Sequence, residues 1–554
     1  MVIKLADNIY SPLGATTWEN YRAVMDGRTA LRQYTLPDGS KYTASLFPEE
    51  HRRADGYTLF EQLCIASASD AIARADIDPT SPRCRFFLST TKGNVHLLAK
   101  GDTERALLGT SANIICRRFG NPNPPVVVSN ACISGLSAQI VAMRSIEAGL
   151  CDTAVVIGCD VQSEFIISGF QCLHALTPDA CRPFDKDRCG LNLGEAAATI
   201  VYSKLTAQNS QHRWHAASGA MCNDANHISG PSRTGEGSYR CLQALDIDKE
   251  ELAFVSVHGT STLYNDEMES IALDRAGLAD VPLFSLKGIY GHTMGAAGVL
   301  ETILSMQAVE HGVVFGTRGF ESLGVSRQVS VSAETRATEK QSFVKLLSGF
   351  GGCNAAMKFR LTGNTSATST TSATSSTSAT SLPTLRLSPT AEELVDLYRR
   401  EVGDYPKFFK MDPLSRLGFM ATELLKKQAP TADYGVLLFN RSSSMADDLA
   451  FQATIQDKDN WFPSPALFVY TLPNIVTGEI AIRNHYQTET NFMVLDAPRP
   501  DIMAEQIALA AQHGPQIAGW CEVDADGHQL AALVAVPQNT PKETIEKELQ
   551  PLLP

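Results

Sequence analysis

Short apolar strands, many of them β-branched, alternate with helix-compatible segments throughout residues 1–362. That alternation predicts βα units around a buried, largely parallel sheet, an α/β fold class. Three predicted strand ends stand out. The run VVV at 126–128 stops at the turn SNACIS, and the helix-compatible LSAQIVAMRSIEAG follows at once. VSV at 255–257 delivers His258 into a Gly/Ser/Thr turn, after which Asp266 and Glu269 start a helix. FSL at 284–286 ends near Lys287; His292 follows on a loop, and GAAG opens a helix carrying Glu301.

The alternation breaks at TSATSTTSATSSTSATS, residues 365–381, which holds only Ser, Thr and Ala and repeats TSAT three times. Such a segment buries no apolar surface, so 363–385 is expected to be a flexible linker. The seventeen residues 365–381 would have an r.m.s. span of roughly 20–25 Å, which keeps two globular units at high local concentration. Beyond it, residues 386–554 read as a partial repeat of the first unit. Residues 411–428 match 57–75 in pattern, 433–445 match 84–95, 463–484 match 123–144, and 519–537 supply closing strands. On that alignment the nucleophile position falls in TLPNIVTGE, which has no Cys; Cys521 is the unit's one thiol. An unrelated small α/β domain is the alternative reading of 386–554.

Chemistry enters with Cys132. It sits where a strand meets a helix N-terminus, whose dipole would lower the thiol pKa and whose free N–H groups could hold an oxyanion. A lone Cys is often core. One Cys and two His, each at a strand end beside glycine, suit nucleophilic acyl transfer instead.

These residues resemble the β-ketoacyl-acyl-carrier-protein synthases, condensing enzymes of the thiolase superfamily. The resemblance runs through YSPLGATTWENYRAVMDGRTAL at 10–31, CRPFDKDRCGLNLGEAAATIVYSK at 181–204, HGTST, KGIYGH and GFGGCNAA at 349–356. It implies a thiolase-like five-layered α-β-α-β-α fold for 1–362, with 386–554 resembling the N-terminal half of that fold. It implies that Cys132 forms an acyl-enzyme and that His258 and His292 bind a malonyl thioester, assist loss of CO2 and stabilise the enolate. Lys287 and Glu301 would orient the histidines; Asp266, Glu269 and Glu195 would be structural. The amides of Cys132 and Phe350 would form the oxyanion hole, with Phe350 as a gate on a loop freed by its glycines. No bound cofactor or metal is expected, the substrates riding on the phosphopantetheine of acyl carrier protein. Departures from the family pattern are Ser348, where Phe is frequent and which bears on the acyl entrance, Cys353 after GFGG, Tyr290 before Gly291-His292, and FFLSTTKGN at 86–94; they touch substrate choice more than activity.

Composition narrows the class. The chain has 554 residues, 44% apolar and 19% charged, ample for large cores. Thirteen Cys without a CxxC pair signal neither zinc nor a disulfide framework. No apolar run reaches the roughly 18–20 residues that span a bilayer, and MVIKLADNIY has no signal-peptide pattern, so a cytoplasmic enzyme is expected. The net charge of −13 argues against nucleic-acid binding. It also opposes an acidic carrier, so docking needs a local basic patch, for which Arg117, Arg118 and Arg144 are candidates.

The leading expectation is decarboxylating condensation in fatty acid, polyketide or polyene-type biosynthesis. A thiolase-like acyltransferase on coenzyme A thioesters is one alternative, though a thiolase uses a second Cys and one His. A non-catalytic partner of the chain-length-factor kind is another; such subunits lose the nucleophile, which suits 386–554 better than 1–362. That unit is expected to pack on a synthase interface, giving a homodimer or a pseudo-dimer.

Overall fold

The computed structural model describes residues 1–36, 38–52, 56–362 and 381–554. Fifteen of its strands form three groups of five. The first group is β1 (Val2–Tyr10), β2 (Cys84–Ser89), β3 (Val126–Val128), β4 (Thr153–Asp160) and β5 (Ala196–Lys204). The second is β6 (Trp214–Asn223), β7 (Leu252–Ser256), β8 (Pro282–Phe284), β9 (Ser342–Gly349) and β10 (Cys353–Leu361). The third is β11 (Thr384–Leu387), β12 (Gly435–Asn440), β13 (Thr490–Val494), β14 (Gln516–Val523) and β15 (Gln529–Val536).

Each group has the same spatial order: third, second, fourth, fifth, first. In each, the second strand runs parallel to the third and fourth, and the fifth is antiparallel to both its neighbours. The first two groups are the two halves expected of the thiolase-like fold. Helices Ser134–Glu147 and Ala297–Glu310 pack on each other and on strands of both halves. Ser134–Glu147 is buried except at its last residue, as a helix between two sheets must be.

The third group repeats this topology. It joins the first through an antiparallel pair between β3 and β13, with Val128 opposite Met493 and Val127 opposite Val494. The two units thereby share one hydrogen-bonded sheet and a continuous core in which Phe87, Val128 and Leu136 belong with Met493, Leu495 and Ile502. Among the described residues four ion pairs cross the junction: the buried or largely buried Arg85–Glu505 at 2.5 Å, Lys92–Asp448 at 2.6 Å and Arg144–Glu489 at 2.9 Å, and the exposed Arg441–Glu104 at 2.9 Å. Helix Lys542–Leu549 packs on helix Pro500–Ala511 and on β15. It thus takes the place that Ala297–Glu310 holds against Ser134–Glu147 and β5 in the first unit.

The β3–β13 register is symmetric and makes Val494 the equivalent of Val128. This corrects the alignment drawn from sequence. The segment 463–484 is not a strand and nucleophile turn but two helices, Pro465–Tyr470 and Ile475–Asn484. Ser464 caps the first by accepting from the Leu467 N–H, and Pro465 fits its first turn. The position equivalent to Cys132 is Pro498, so the second unit lacks a nucleophile at a different place from the one expected. Residues 363–380 of the expected linker lie outside the described residues, and β11 begins at Thr384, before the boundary read from composition. Among the described residues no helix is long and apolar enough to cross a membrane.

Candidate active site

Cys132 follows β3 on a strained turn. Ala131 has φ +48°, a left-handed conformation unusual for a residue with a Cβ, and a single 3-10 turn leads into helix Ser134–Glu147. Ser134 Oγ locks the turn, accepting from the Asn130 N–H at 2.8 Å and donating to the Ala131 carbonyl at 2.6 Å. The backbone N–H groups of Cys132 and Phe350 both favour the sulfur anion. Burial outweighs them and the Lys287 ammonium, and pushes the thiol up to about 12. The helix N-terminus therefore does not hold a resting thiolate, contrary to the sequence expectation; desolvation wins, and the resting group is the thiol.

His258 and His292 are buried, with ring centroids 5.0 Å apart and planes nearly perpendicular. The Cys132 sulfur and one ring nitrogen from each lie within 4.8 Å of one another. Burial, then the ammonium groups of Lys287 and Lys345, hold both imidazoles well below their ordinary pKa, so both are neutral. His292 Nδ1 accepts the Met294 N–H at 3.2 Å, which leaves its ring proton on Nε2. That nitrogen is buried without a partner. An unsatisfied donor inside a protein is costly unless a ligand uses it.

Glu301 is clamped between Lys287 Nζ and Lys345 Nζ, the latter at 2.6 Å. Lys345 also donates to the carbonyls of Ser256 and Val257, which tie it to the strand end before His258. Glu269 accepts the N–H groups of His258 at 2.6 Å and Gly259 at 2.7 Å. Asp266 accepts those of Phe184 and Ser261. Glu195 accepts those of Phe47 and Gln162 and does not reach either imidazole. Two buried charged groups of the site were not singled out from sequence. Lys345 could have been, as one cation inside the apolar strand SFVKLLSG. Asp160 gathers the Thr91, Lys92 and Gly295 amides around the Cys132 turn and gives no local signal.

Burial, opposed by the two backbone donors, raises Glu269 to about 7 from its ordinary 4.5. The folded protein thus keeps a proton that the unfolded chain releases. The contribution is fully present below about pH 4.5 and is lost as pH rises through about 7. Urea midpoints are therefore expected to fall across that window, and Glu269→Gln to flatten the fall. Parallel profiles for the two proteins would contradict the assignment.

Cys132, His258, His292 and Phe350 line one groove of about 350 Å³, with Thr260, Thr262 and Ser348 along its walls. Behind the sulfur lies an apolar cavity of only about 20 Å³. Its walls come from both units: Ile166, Phe170 and Met294 from the first, Phe468 and Leu472 from the second. Gly169 makes room for Phe468, since a Cβ there would stand 2.0 Å from the ring. The sulfur and the two imidazoles could also ligate a soft divalent cation. Of the docking candidates, Arg117 and Arg118 are exposed. Arg144 is buried against Glu489 and is an interface residue, which corrects the docking expectation for it.

Comparison with known proteins agrees with this geometry. The beta-ketoacyl synthase N-terminal domain matches residues 7–207 and the C-terminal domain residues 215–321. The chain is 28% identical to the tetracenomycin polyketide synthase ketoacyl synthase alpha subunit of Streptomyces glaucescens, over 63% of this chain and 94% of that one. It is 30% identical to nodulation protein E of Rhizobium sp. (strain N33), over 47% of this chain and 67% of that one. Among solved structures, the PfaC keto synthase–chain length factor superposes with a TM-score of 0.76 at 13% identity, over 97% of this chain and 78% of that one. That last likeness is one of fold, and it takes in both units. With both domain matches falling on the groups of strands that carry Cys132, His258 and His292, the chain belongs to the beta-ketoacyl synthase family.

Proposed function

We propose that Cys132, His258 and His292 carry out a decarboxylating Claisen condensation between an acyl-enzyme and a malonyl thioester, both delivered on carrier-bound phosphopantetheine. The observation that carries this is the convergence, at one groove end, of a thiol, two backbone N–H groups and two neutral buried imidazoles. The Cys132 sulfur attacks the acyl thioester, and its proton leaves with the departing carrier thiol. The amides of Cys132 and Phe350 take the charge on the acyl oxygen. Malonyl thioester then loses CO2, and the enolate oxygen is held by imidazole N–H groups, His292 Nε2–H among them. The enolate carbon attacks the acyl carbonyl, a C–C bond forms, and the Cys132 thiolate departs and is reprotonated. The Lys287–Glu301–Lys345 cluster favours neutral imidazoles that donate without giving up a proton.

The second unit serves as a partner subunit in cis, in the manner of a chain length factor. Support comes from its matching topology, the β3–β13 junction and the absence of a thiol at Pro498. Relatives named for polyketide synthases favour a polyketide-type chain. The small cavity behind Cys132 favours short acyl groups, with Phe468 as its end wall.

The test is intact-protein mass after incubation with acyl-carrier thioesters of increasing length, followed by malonyl carrier. A short-acyl adduct that discharges as a β-ketoacyl product is expected. Phe468→Ala should take longer acyl groups and lose about 3–5 kcal/mol of stability, the usual cost of truncating a buried Phe. No adduct from any donor would remove the condensing reading, and an unchanged length preference in Phe468→Ala would remove that residue as the wall.

A further inference from the structure

We propose that Asn474, on the second unit, is a positioning residue for the oxyanion hole of the first. The inference rests on the condensing reading of Cys132 and adds a residue to it. Phe350 supplies one of the two N–H groups at the sulfur from the Gly349–Phe350 peptide, and the orientation of the Phe350–Gly351 peptide that follows fixes the Phe350 torsions. Gly351 and Gly352 have φ +87° and +70°, and glycine confers little preference of its own. The Phe350–Gly351 peptide next to the donor is held on both sides: its N–H donates to the Ile228 carbonyl of the first unit at 2.6 Å, and its carbonyl is held from the second unit.

Asn474 is fully buried, and its Nδ2 donates to the Phe350 carbonyl at 2.7 Å. Its Oδ1 is buried without a partner, so the side chain meets the loop as a donor, to that carbonyl and, at 3.7 Å, to Cys353 Sγ. The Asn474 backbone is fixed in turn: its carbonyl accepts the Gly478 N–H at 3.2 Å and the Thr477 hydroxyl at 2.8 Å. Close contact enforces the approach, because a Cβ on Gly478 would stand 2.5 Å from the Gly351 carbonyl oxygen. Within the first unit, Cys353 donates its S–H to the same Phe350 carbonyl at 3.2 Å and lies 3.6 Å from the Asn130 carbonyl. The other half of the hole is also held from the second unit. Asn130 Nδ2 donates to the Thr490 carbonyl at 3.1 Å, and the Ser129 N–H to that of Phe492 at 3.0 Å. The segments on which both N–H donors sit, 129–132 and 349–352, are thus each tied to residues beyond position 470, in the second case one peptide away from the donor. One oxyanion donor is worth about 10²–10³ in kcat, and small misplacement costs a large part of that.

The experiment uses the full chain with Asn474→Ala and Asn474→Asp. Aspartate keeps the shape. As the neutral acid it can donate to the Phe350 carbonyl, and as the carboxylate it cannot. The titratable group facing it is the Cys353 thiol, which burial keeps protonated. Expected are a roughly 10–100-fold lower kcat for Asn474→Ala with KM for the carrier thioester little changed, and a ratio of Asn474→Asp to wild-type kcat that falls as pH rises. Amide hydrogen exchange across Gly349–Gly352 reads the same bond without turnover and should quicken in both variants. Wild-type kcat in Asn474→Ala, a pH-independent Asp ratio, or unchanged exchange overturns the proposal. A wild-type chain that does not condense overturns the condensing reading instead, and exchange still decides the role of Asn474. Should Asn474→Ala not fold, as judged by thermal unfolding, the Asp variant alone carries the test.

Discussion

Cys132→Ala is expected to abolish the acyl adduct and cut condensation by on the order of 10⁴-fold or more, while malonyl decarboxylation persists. The two half-reactions use different groups. Acyl transfer needs the sulfur as nucleophile, and no other thiol takes its place: Cys353 is buried with its S–H directed at the carbonyls of Phe350 and Asn130. Decarboxylation needs donors for an enolate oxygen, and these are imidazoles held by groups that the substitution does not touch. His258 is anchored through Glu269 and the Lys345-bound strand end, His292 through the Asn192 carbonyl and the Met294 amide. Both rings stay neutral because burial, Lys287 and Lys345 act on them with or without the sulfur. The check is CO2 release from malonyl carrier beside the mass of the protein. Loss of both activities together would show that the thiol is needed to bind or polarise malonate, and the division of labour would be wrong.

The reactive groups were legible because each sits where a strand ends. Hydrophobic runs of three to five residues stop at Cys132, His258 and near Lys287, and glycine marks the turns. Their protonation states were not legible. The helix start beside Cys132 suggested a thiolate, whereas the depth of the site decides for the thiol, and depth is a property of the packed halves. The second unit was legible as a repeat but misaligned in its middle. ALFVY at 466–470 is as apolar as a strand, and only the Ser464–Pro465 start tells that it is a helix. What no local pattern carries is contact across the units. Phe468 behind the sulfur and Asn474 on the Phe350 carbonyl lie more than a hundred residues from what they touch, so their roles follow from the β3–β13 register alone.

Removal of residues 381–554 is expected to leave the first unit inactive and prone to associate. The cut exposes β3, a flat β-branched edge strand that now pairs with β13, and such edges recruit other chains. It also strands three cations. Lys92 and Arg144 are buried and lose Asp448 and Glu489, and the largely buried Arg85 loses Glu505; any association that covers them again without an acid costs about 3–5 kcal/mol per cation where burial is deep. Two truncated copies cannot repair this by pairing β3 with β3. The symmetric register would place Asn123 and Gln139 where Glu489 and Glu505 stand, so Arg144 and Arg85 would meet no acid. The buried part of the junction is therefore built for an unlike partner, with cations on the first unit and acids on the second; the reversed pair, Arg441–Glu104, lies exposed at its margin. Adding 381–554 as a separate chain should restore a one-to-one complex and condensation, because the β3–β13 pairing and the ion pairs named above join described residues of the two units directly. Size-exclusion chromatography with light scattering, read beside turnover, checks both halves of the expectation. A truncated first unit that stays monomeric and active would mean that the second unit shapes neither the fold nor the site.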